Sequence, residues 1–266
     1  MTLQGYTVPR TATGRASLVP SPPWSYVGDF MVVDYWADPD AVTALLPAGI
    51  EPHPDAGRCA AIFVDWQSCS AGGEELLDPA RSQYKEFFVV INGLLDGEEV
   101  TTCPFIWVDQ DFALARGWIQ GFPKKLGDVW MTRTFGLDTA ADPGVGEGSR
   151  FGAACSARGR RIAEATVTLE GVSESGPQHN DPPLVNVRHF PRLAAGRHEE
   201  PHVHELVRAQ SFDRTISTVW EGAATLDFMP AAGEEHDVLA PVRVGRGFRF
   251  TFAYSIDDLI TVKELS

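Results

Sequence analysis

Short stretches rich in β-branched and aromatic residues recur along most of the 266-residue chain, set apart by glycine, proline and acidic turns, and they limit what it can fold into. Phe30–Trp36, Cys59–Trp66, Tyr84–Ile91, Val100–Val108, Val129–Gly136, Arg161–Leu169, Leu206–Ser211, Ala224–Met229 and Gly247–Ser255 all read as strands. Asp142-Pro143-Gly144 is typical of the spacers between them. Helical signals are few. Asp38-Pro39-Asp40 supplies an N-cap acid and a first-turn proline, Val42, Leu45 and Leu46 follow at helical spacing, and Pro47-Ala48-Gly49 ends the segment. Asp109-Gln110-Asp111 caps a second short helix through Phe112, Ala115 and Arg116. Ser173 to His202 reads as irregular, with Pro182-Pro183 inside it. Many strands and few helices predict an α+β, mainly antiparallel β fold, a barrel or sandwich with peripheral helices. Residues 1–22, rich in proline, threonine and serine, are expected to form an arm, and residues 23–266 one domain.

With 44% hydrophobic residues the chain can bury a sizeable core. Its 22 basic and 36 acidic side chains leave a formal charge of −14, which argues against nucleic acid or an anionic membrane as partner. A small anionic substrate is compatible with that charge, because a local basic pocket can overrule the global field. Cys59, Cys69, Cys103 and Cys155 show no metal-ligand spacing, so reduced thiols are expected. No apolar run approaches the length of a membrane span, and Met1 to Arg15 has no signal-peptide core, so the expected location is cytoplasmic.

Chemistry concentrates in Gln120-Gly121-Phe122-Pro123-Lys124-Lys125-Leu126-Gly127. A lysine is a nucleophile at neutral pH only if its ammonium is destabilised by burial or by a nearby cation, and a Lys-Lys pair held by a proline turn offers both. Bringing a lysine from about 10.4 to about 7 disfavours its charge by roughly 4–5 kcal/mol, and burial alone can reach that shift. Two solvated surface lysines are the plainer alternative. Strand parity adds two groupings. Tyr84, Glu86, Phe88 and Val90 share one face of their strand, and a carboxylate buried there needs a partner or a function. Phe248, Phe250, Phe252 and Tyr254 form an aromatic stripe that ends in a phenol. Each has a structural alternative: an exposed strand start for Tyr84 and Glu86, a core tyrosine for Tyr254, a surface glutamine for Gln120. His202-Val203-His204 lacks a third metal ligand nearby in sequence, Arg160-Arg161 and Arg188-His189 read as solvated faces or subunit contacts, and the glycine cluster Gly144–Gly148 lacks the setting of a nucleotide loop. No metal or cofactor is expected.

Gly121-Phe122-Pro123-Lys124-Lys125-Leu126-Gly127 resembles the Gly-Tyr-Pro-Lys-Lys-Leu-Gly signature of the acetoacetate decarboxylase superfamily. Tyr84-Lys85-Glu86, Arg161 to Glu170 and Val207 to Glu221 follow the family's order, so the resemblance runs from about Pro23 to the C-terminus. It implies a cone-like β-barrel with the reactive lysine facing the interior, and a homo-oligomer. It also implies that Lys124 forms an imine, that Lys125 helps lower its pKa, and that Glu86 is the functional acid of the Tyr84/Glu86 element. The chain departs from true decarboxylases at three places. Gly28 stands where they carry an arginine, Ala60 to Val64 lacks their strand glutamate, and Gly117-Trp118 replaces their Arg-Glu before the lysine turn. Gln120 and Tyr254 fit the places of a glutamine and a tyrosine found in the superfamily's aldolase-dehydratase branch. The expected reaction is therefore condensation of pyruvate, or a similar 2-oxo acid, with an aldehyde, followed by loss of water to an unsaturated 2-oxo acid. Gln120 is expected to orient a carboxylate or carbonyl oxygen, and Tyr254 to transfer protons. The alternatives are decarboxylation of a β-keto acid through the same imine, and a keto-compound binder without turnover.

Overall fold

Alternating apolar residues on consecutive extended segments drive the chain into one large sheet. The computed structural model describes residues 2–179 and 182–265. The first strands are β1 (Trp24–Trp36), β2 (Glu51–Pro52), β3 (Arg58–Ser70), β4 (Gln83–Leu95) and β5 (Glu98–Val108). Two short strands follow, β6 (Lys124–Leu126) and β7 (Asp128–Met131). The remainder are β8 (Arg150–Ala157), β9 (Arg160–Val172), β10 (Val185–Phe190), β11 (Val203–Ile216), β12 (Trp220–Phe228) and β13 (Arg243–Glu264). Two α-helices are present among the described residues, α1 (Pro39–Ala44) and α2 (Asp111–Ile119), and neither is long and apolar enough to cross a membrane.

The sheet runs in the order β6-β5-β4-β3-β1-β13-β12-β9-β8-β7, with the β10–β11 ribbon added to β13 and β2 added to β4. All pairings between these strands are antiparallel except that of β5 with β6. The hydrogen-bonded path is open, and its two end strands, β6 and β7, are separated in sequence only by Gly127. The expected cone is therefore a curled sheet rather than a closed barrel.

Both faces of the central strands are buried, which is why β1, β3 and β4 read as almost continuous apolar runs. On β1, Met31, Val33 and Tyr35 enter one core, and Tyr26, Phe30 and Val32 enter the other. β3 and β4 divide in the same way, with Phe63, Phe87 and Val89 in the first core and Val64, Trp66, Tyr84 and Phe88 in the second. The second core contains the Tyr84/Phe88/Val90 face and the Phe248/Phe250/Phe252/Tyr254 stripe together, as strand parity predicts.

The local differences from the sequence reading have identifiable causes. The first helix begins as expected, with the Asp38 carboxylate accepting from the Asp40 and Ala41 amides. The second does not use Asp109 as its cap: Gln110 holds that position, and the Asp109 carboxylate accepts the Lys85 amide at 2.7 Å, tying β4 to the end of β5. The predicted Val129–Gly136 strand stops at Met131. The interval read as irregular contains β10, whose existence depends on pairing with β11. The Pro-Lys-Lys segment is not a turn but β6, paired in register with β5.

Phe87 is fully buried, stacked 4.4 Å from the Phe63 ring and 5.7 Å from Trp107 between centroids. Phe87→Ala is expected to cost about 3–5 kcal/mol, read as a lower urea midpoint with an unchanged slope. Leu77→Ala, at a side chain 91% exposed, is expected to stay within about 0.5 kcal/mol.

Candidate active site

The site is assembled where α2 delivers the chain into β6. Phe112, Arg116 and Gln120 follow one another at i, i+4 spacing, so that Arg116 and Gln120 are carried inward on the face that Phe112 buries. The helix ends at Ile119 with Gln120 as its C-cap, and the next residue, Gly121, has a φ of 83° in the left-handed region, where an added Cβ would stand 3.0 Å from Val207 Cγ2. The Phe122 amide bonds back to the Gly117 carbonyl at 2.9 Å, and the chain then enters β6.

The register of β6 decides what the two lysines do. Ile106 pairs with Lys124 and Trp107 with Lys125, and paired residues project to the same side of a sheet. Ile106 belongs to the second core, so Lys124 is buried there, and its Nζ forms an ion pair with Glu86 Oε2. Trp107 belongs to the first core, so Lys125 leaves on the opposite side and pairs with Glu234, which also accepts the Trp107 indole N–H at 3.2 Å. The Lys125 side chain therefore points away from the core that holds Lys124, because neighbours on a strand face opposite ways.

Burial is the main cause that lowers the Lys124 pKa below the ordinary lysine value. The Glu86 carboxylate opposes the shift, and the Arg116 guanidinium adds to it. Arg116, a residue that the sequence reading placed on the helix without a role, is thus a cation that acts on Lys124. Its signal was available in the i, i+4 spacing with Gln120. Among the described residues the partners of Arg116 are neutral: Nη2 donates to Ser68 Oγ at 3.1 Å, and Cζ lies 4.7 Å from the Tyr26 ring and 5.5 Å from the Tyr84 ring. No described carboxylate stands within ion-pair distance of this buried guanidinium.

The remaining predicted residues converge on the same core. Tyr84 is buried, with its ring 5.5 Å from Lys124 Nζ. Gln120 Nε2 donates to the Tyr26 hydroxyl at 3.3 Å, and Tyr26 stacks on Tyr254 at 5.0 Å. Tyr26 is a second residue that the sequence reading did not single out. Burial holds the phenols of Tyr254 and Tyr84 well above the ordinary range, so both remain protonated at neutral pH. Glu86 and Tyr254 line a cavity of about 280 Å³ walled by Phe30, Trp66, Phe88 and Phe252. His204, by contrast, meets His189 across the β10–β11 ribbon, with Nδ1 atoms 3.1 Å apart, and among the described residues no group of three potential ligands could hold a metal.

Two of the departures noted in sequence have a structural counterpart. An added Cβ at Gly28 would fall 2.5 Å from the Trp66 ring, so Trp66 occupies the space into which a side chain there would project. At Gly117 an added Cβ would fall 2.3 Å from Lys124 Cδ, so the lysine stem lies directly on the glycine. Its neighbour Trp118 donates its indole N–H to the Lys124 carbonyl at 2.9 Å. Gly117 makes room for the side chain while Trp118 holds the backbone.

The pH dependence of carbonyl capture follows from these charges. The free amine appears as pH rises through the lowered Lys124 pKa, so the inflection is expected below the ordinary lysine value. Arg116→Met is expected to move that inflection up, Glu86→Gln to move it down, and Lys125→Ala to leave it in place; the pH–rate profile of borohydride-trapped adduct reads all three. Gly117→Ala is expected to slow adduct formation by about 10²-fold through displacement of the lysine, with the urea midpoint serving as a check on folding.

The chain matches the family described as acetoacetate decarboxylase over residues 7–265. No curated protein sequence matches it. Among solved structures, the enduracididine biosynthesis enzyme MppR is 34% identical, in complex with the condensation product of pyruvate and imidazole 4-carboxaldehyde (TM-score 0.91, covering 100% of this chain and 99% of that one) and in complex with pyruvate (TM-score 0.90, covering 100% of both). An acetoacetate decarboxylase-like enzyme from Sphingomonas wittichii RW1 is 27% identical with a TM-score of 0.90, over 98% of this chain and 100% of that one. Acetoacetate decarboxylase from Legionella pneumophila shares the fold at 18% identity, with a TM-score of 0.73 over 92% of this chain and 89% of that one. A buried lysine on β6 and a match along nearly the whole chain lead to one conclusion: the protein is an enzyme, of lyase type, and belongs to the acetoacetate decarboxylase family.

Proposed function

We propose that the enzyme is a Schiff-base aldolase-dehydratase that condenses pyruvate, or a similar 2-oxo acid, with an aldehyde. The observation that carries this reading is the buried Lys124–Glu86 pair beside a buried guanidinium that has no carboxylate of its own. An unpaired buried cation is costly, and a substrate carboxylate would relieve that cost. Arg116 and Gln120 would receive the carboxylate of the 2-oxo acid, which places its carbonyl carbon near Lys124 Nζ. The complexes of MppR support a three-carbon 2-oxo acid as the donor and an aldehyde as the acceptor.

Glu86 first takes a proton from the Lys124 ammonium, and the free amine adds to the carbonyl carbon. Glu86 returns its proton to the hydroxyl group of the carbinolamine, which leaves as water and gives a protonated imine. This electron sink acidifies the methyl group, and Glu86 is placed to accept one of its protons, leaving an enamine. The enamine carbon attacks the aldehyde carbon, and the new alkoxide takes a proton from Tyr254, whose raised pKa keeps it a donor. The Tyr254 phenolate removes a second proton from the same carbon, and the hydroxyl group leaves as water with the proton that Glu86 carries, which restores both side chains. Hydrolysis of the imine returns Lys124 and releases the unsaturated 2-oxo acid, so that one water is formed for each pair of substrates joined.

Decarboxylation of a β-keto acid through the same imine is the second reading, favoured by Arg116 as a buried cation that could hold the carboxylate before it leaves as carbon dioxide. The Trp66 ring over Gly28 weighs against it, because it fills the direction in which the decarboxylase arginine would project.

Borohydride trapping separates these readings by intact mass after incubation with pyruvate, with pyruvate plus benzaldehyde, and with acetoacetate. The expected result is a pyruvate adduct on Lys124 that gains the mass of the aldehyde less water and is absent in Lys124→Ala. An acetone-sized adduct from acetoacetate, with no gain from aldehyde, assigns decarboxylation instead. A pyruvate adduct that never turns over assigns a binder. Condensation that persists after both Gln120→Ala and Tyr254→Phe would remove those two residues from the mechanism.

A further inference from the structure

One buried titratable side chain at the centre of the site takes no part in the steps above. Tyr26 is buried, and it is directly opposed by Ser68 across the β1–β3 pairing and by Tyr254 across the β1–β13 pairing. Directly opposed residues project from the same face of a sheet, so Ser68, Tyr26 and Tyr254 form a row across three neighbouring strands. Ser68 Oγ accepts from Arg116 at 3.1 Å, the Tyr26 hydroxyl accepts from Gln120 Nε2 at 3.3 Å, and Tyr254 is the proposed proton donor. The middle of the row therefore stands between the groups proposed to receive the carboxylate and the group proposed to act on the aldehyde.

Tyr26 holds both of those carboxylate receptors, each with a different part of its side chain. Arg116 Cζ lies 4.7 Å from the Tyr26 ring, closer than to the rings of Tyr84 at 5.5 Å, Phe112 at 5.6 Å or Trp24 at 6.0 Å. A guanidinium over a ring face is attracted by it and fixed in orientation, which leaves its N–H donors free to face a planar anion. The hydroxyl holds the Gln120 amide. A phenol has one donor proton besides its acceptor lone pairs, so accepting from Gln120 leaves that proton to be donated. Burial raises the Tyr26 pKa and keeps the proton in place at neutral pH. The stack on Tyr254, with ring centroids 5.0 Å apart and planes 18° apart, and the edge contact with Trp66 at 5.9 Å keep the ring from turning away.

Building on the aldolase reading, we propose that Tyr26 is a specificity-determining residue that selects a 2-oxo acid over a ketone without a carboxylate: its hydroxyl, held by Gln120, donates to the substrate carboxylate, and its ring holds Arg116 against the same group. The row then sets the direction of the bound donor, with the carboxylate at the Ser68 and Tyr26 end and the carbon that attacks the aldehyde toward Tyr254. The chain's charge of −14 repels anions in general, so an anionic donor needs such a local set of donors to be captured at all.

The test measures the second-order rate of borohydride-trapped adduct formation with pyruvate and with acetone in the wild-type enzyme, Tyr26→Phe and Tyr26→Leu. The wild-type enzyme is expected to favour pyruvate. Tyr26→Phe keeps the ring and removes the hydroxyl, and it is expected to lower that preference by about 10-fold, the scale of one hydrogen bond to a charged group, with the acetone rate unchanged. Tyr26→Leu also removes the ring beside Arg116 and is expected to lower the preference further. A purely structural role would slow both ketones alike and leave their ratio in place. An unchanged ratio in Tyr26→Phe, an equal loss for both ketones, or a wild-type enzyme without preference overturns the assignment. A wild-type pyruvate adduct that gains no aldehyde, with the ratio still falling in Tyr26→Phe, supports the assignment and removes the aldolase reading alone. A wild-type enzyme that traps neither ketone overturns both.

Discussion

The site depends on one short parallel pairing, that of β6 with β5. It fixes which side of the sheet each lysine occupies, and an error of one residue would exchange them. The correct register places an ammonium in an apolar core, a placement that would be strongly unfavourable without a partner. Glu86 arrives from β4 on the same face and supplies that partner, while Arg116 arrives from α2 and limits how firmly the ammonium is held. The protonation of Lys124 is therefore set by opposed effects: burial and a second cation favour release of the proton, and the Glu86 carboxylate opposes it. On the other side, Lys125, Glu234 and Trp107 make a separate polar cluster that ties β6 to the first core.

Much of this was legible in the sequence, and the reason is periodicity. Residues two apart on a strand share a face whatever the strand pairs with, so the Tyr84/Glu86 face and the stripe ending in Tyr254 could be read locally and were found in one core. Features that depend on pairing at long range were not readable in that way. The Lys-Lys segment looked like a turn because proline and glycines bracket it, and only its register with β5 makes it a strand. β10 is held by β11, and no local pattern announced it within a proline-rich interval. Asp109 looked like a helix cap because an acid preceding a helix usually is one, yet the Lys85 amide from another strand claimed its carboxylate. Arg116 was visible but was assigned no role, since a lone arginine on a short helix is ordinarily solvated.

The missing side chains at Gly28 and Gly117 are coordinated with what surrounds them. Each glycine lies under a group that the site uses: Trp66, a wall of the cavity whose indole N–H donates to Glu86 Oε1 at 3.3 Å, and the stem of Lys124 itself. Restoring an arginine at position 28 would require Trp66 to move, and moving Trp66 would remove a donor from the carboxylate that controls Lys124. Adding a side chain at position 117 would push directly on the stem of Lys124. A reversion at either place alone would therefore disturb the groups already present before it could supply a new function. The lysine, its acid, the indole over Gly28 and the glycine beneath the lysine stem form one packed unit, and the chemistry of the proposed imine would follow from that unit rather than from the lysine alone.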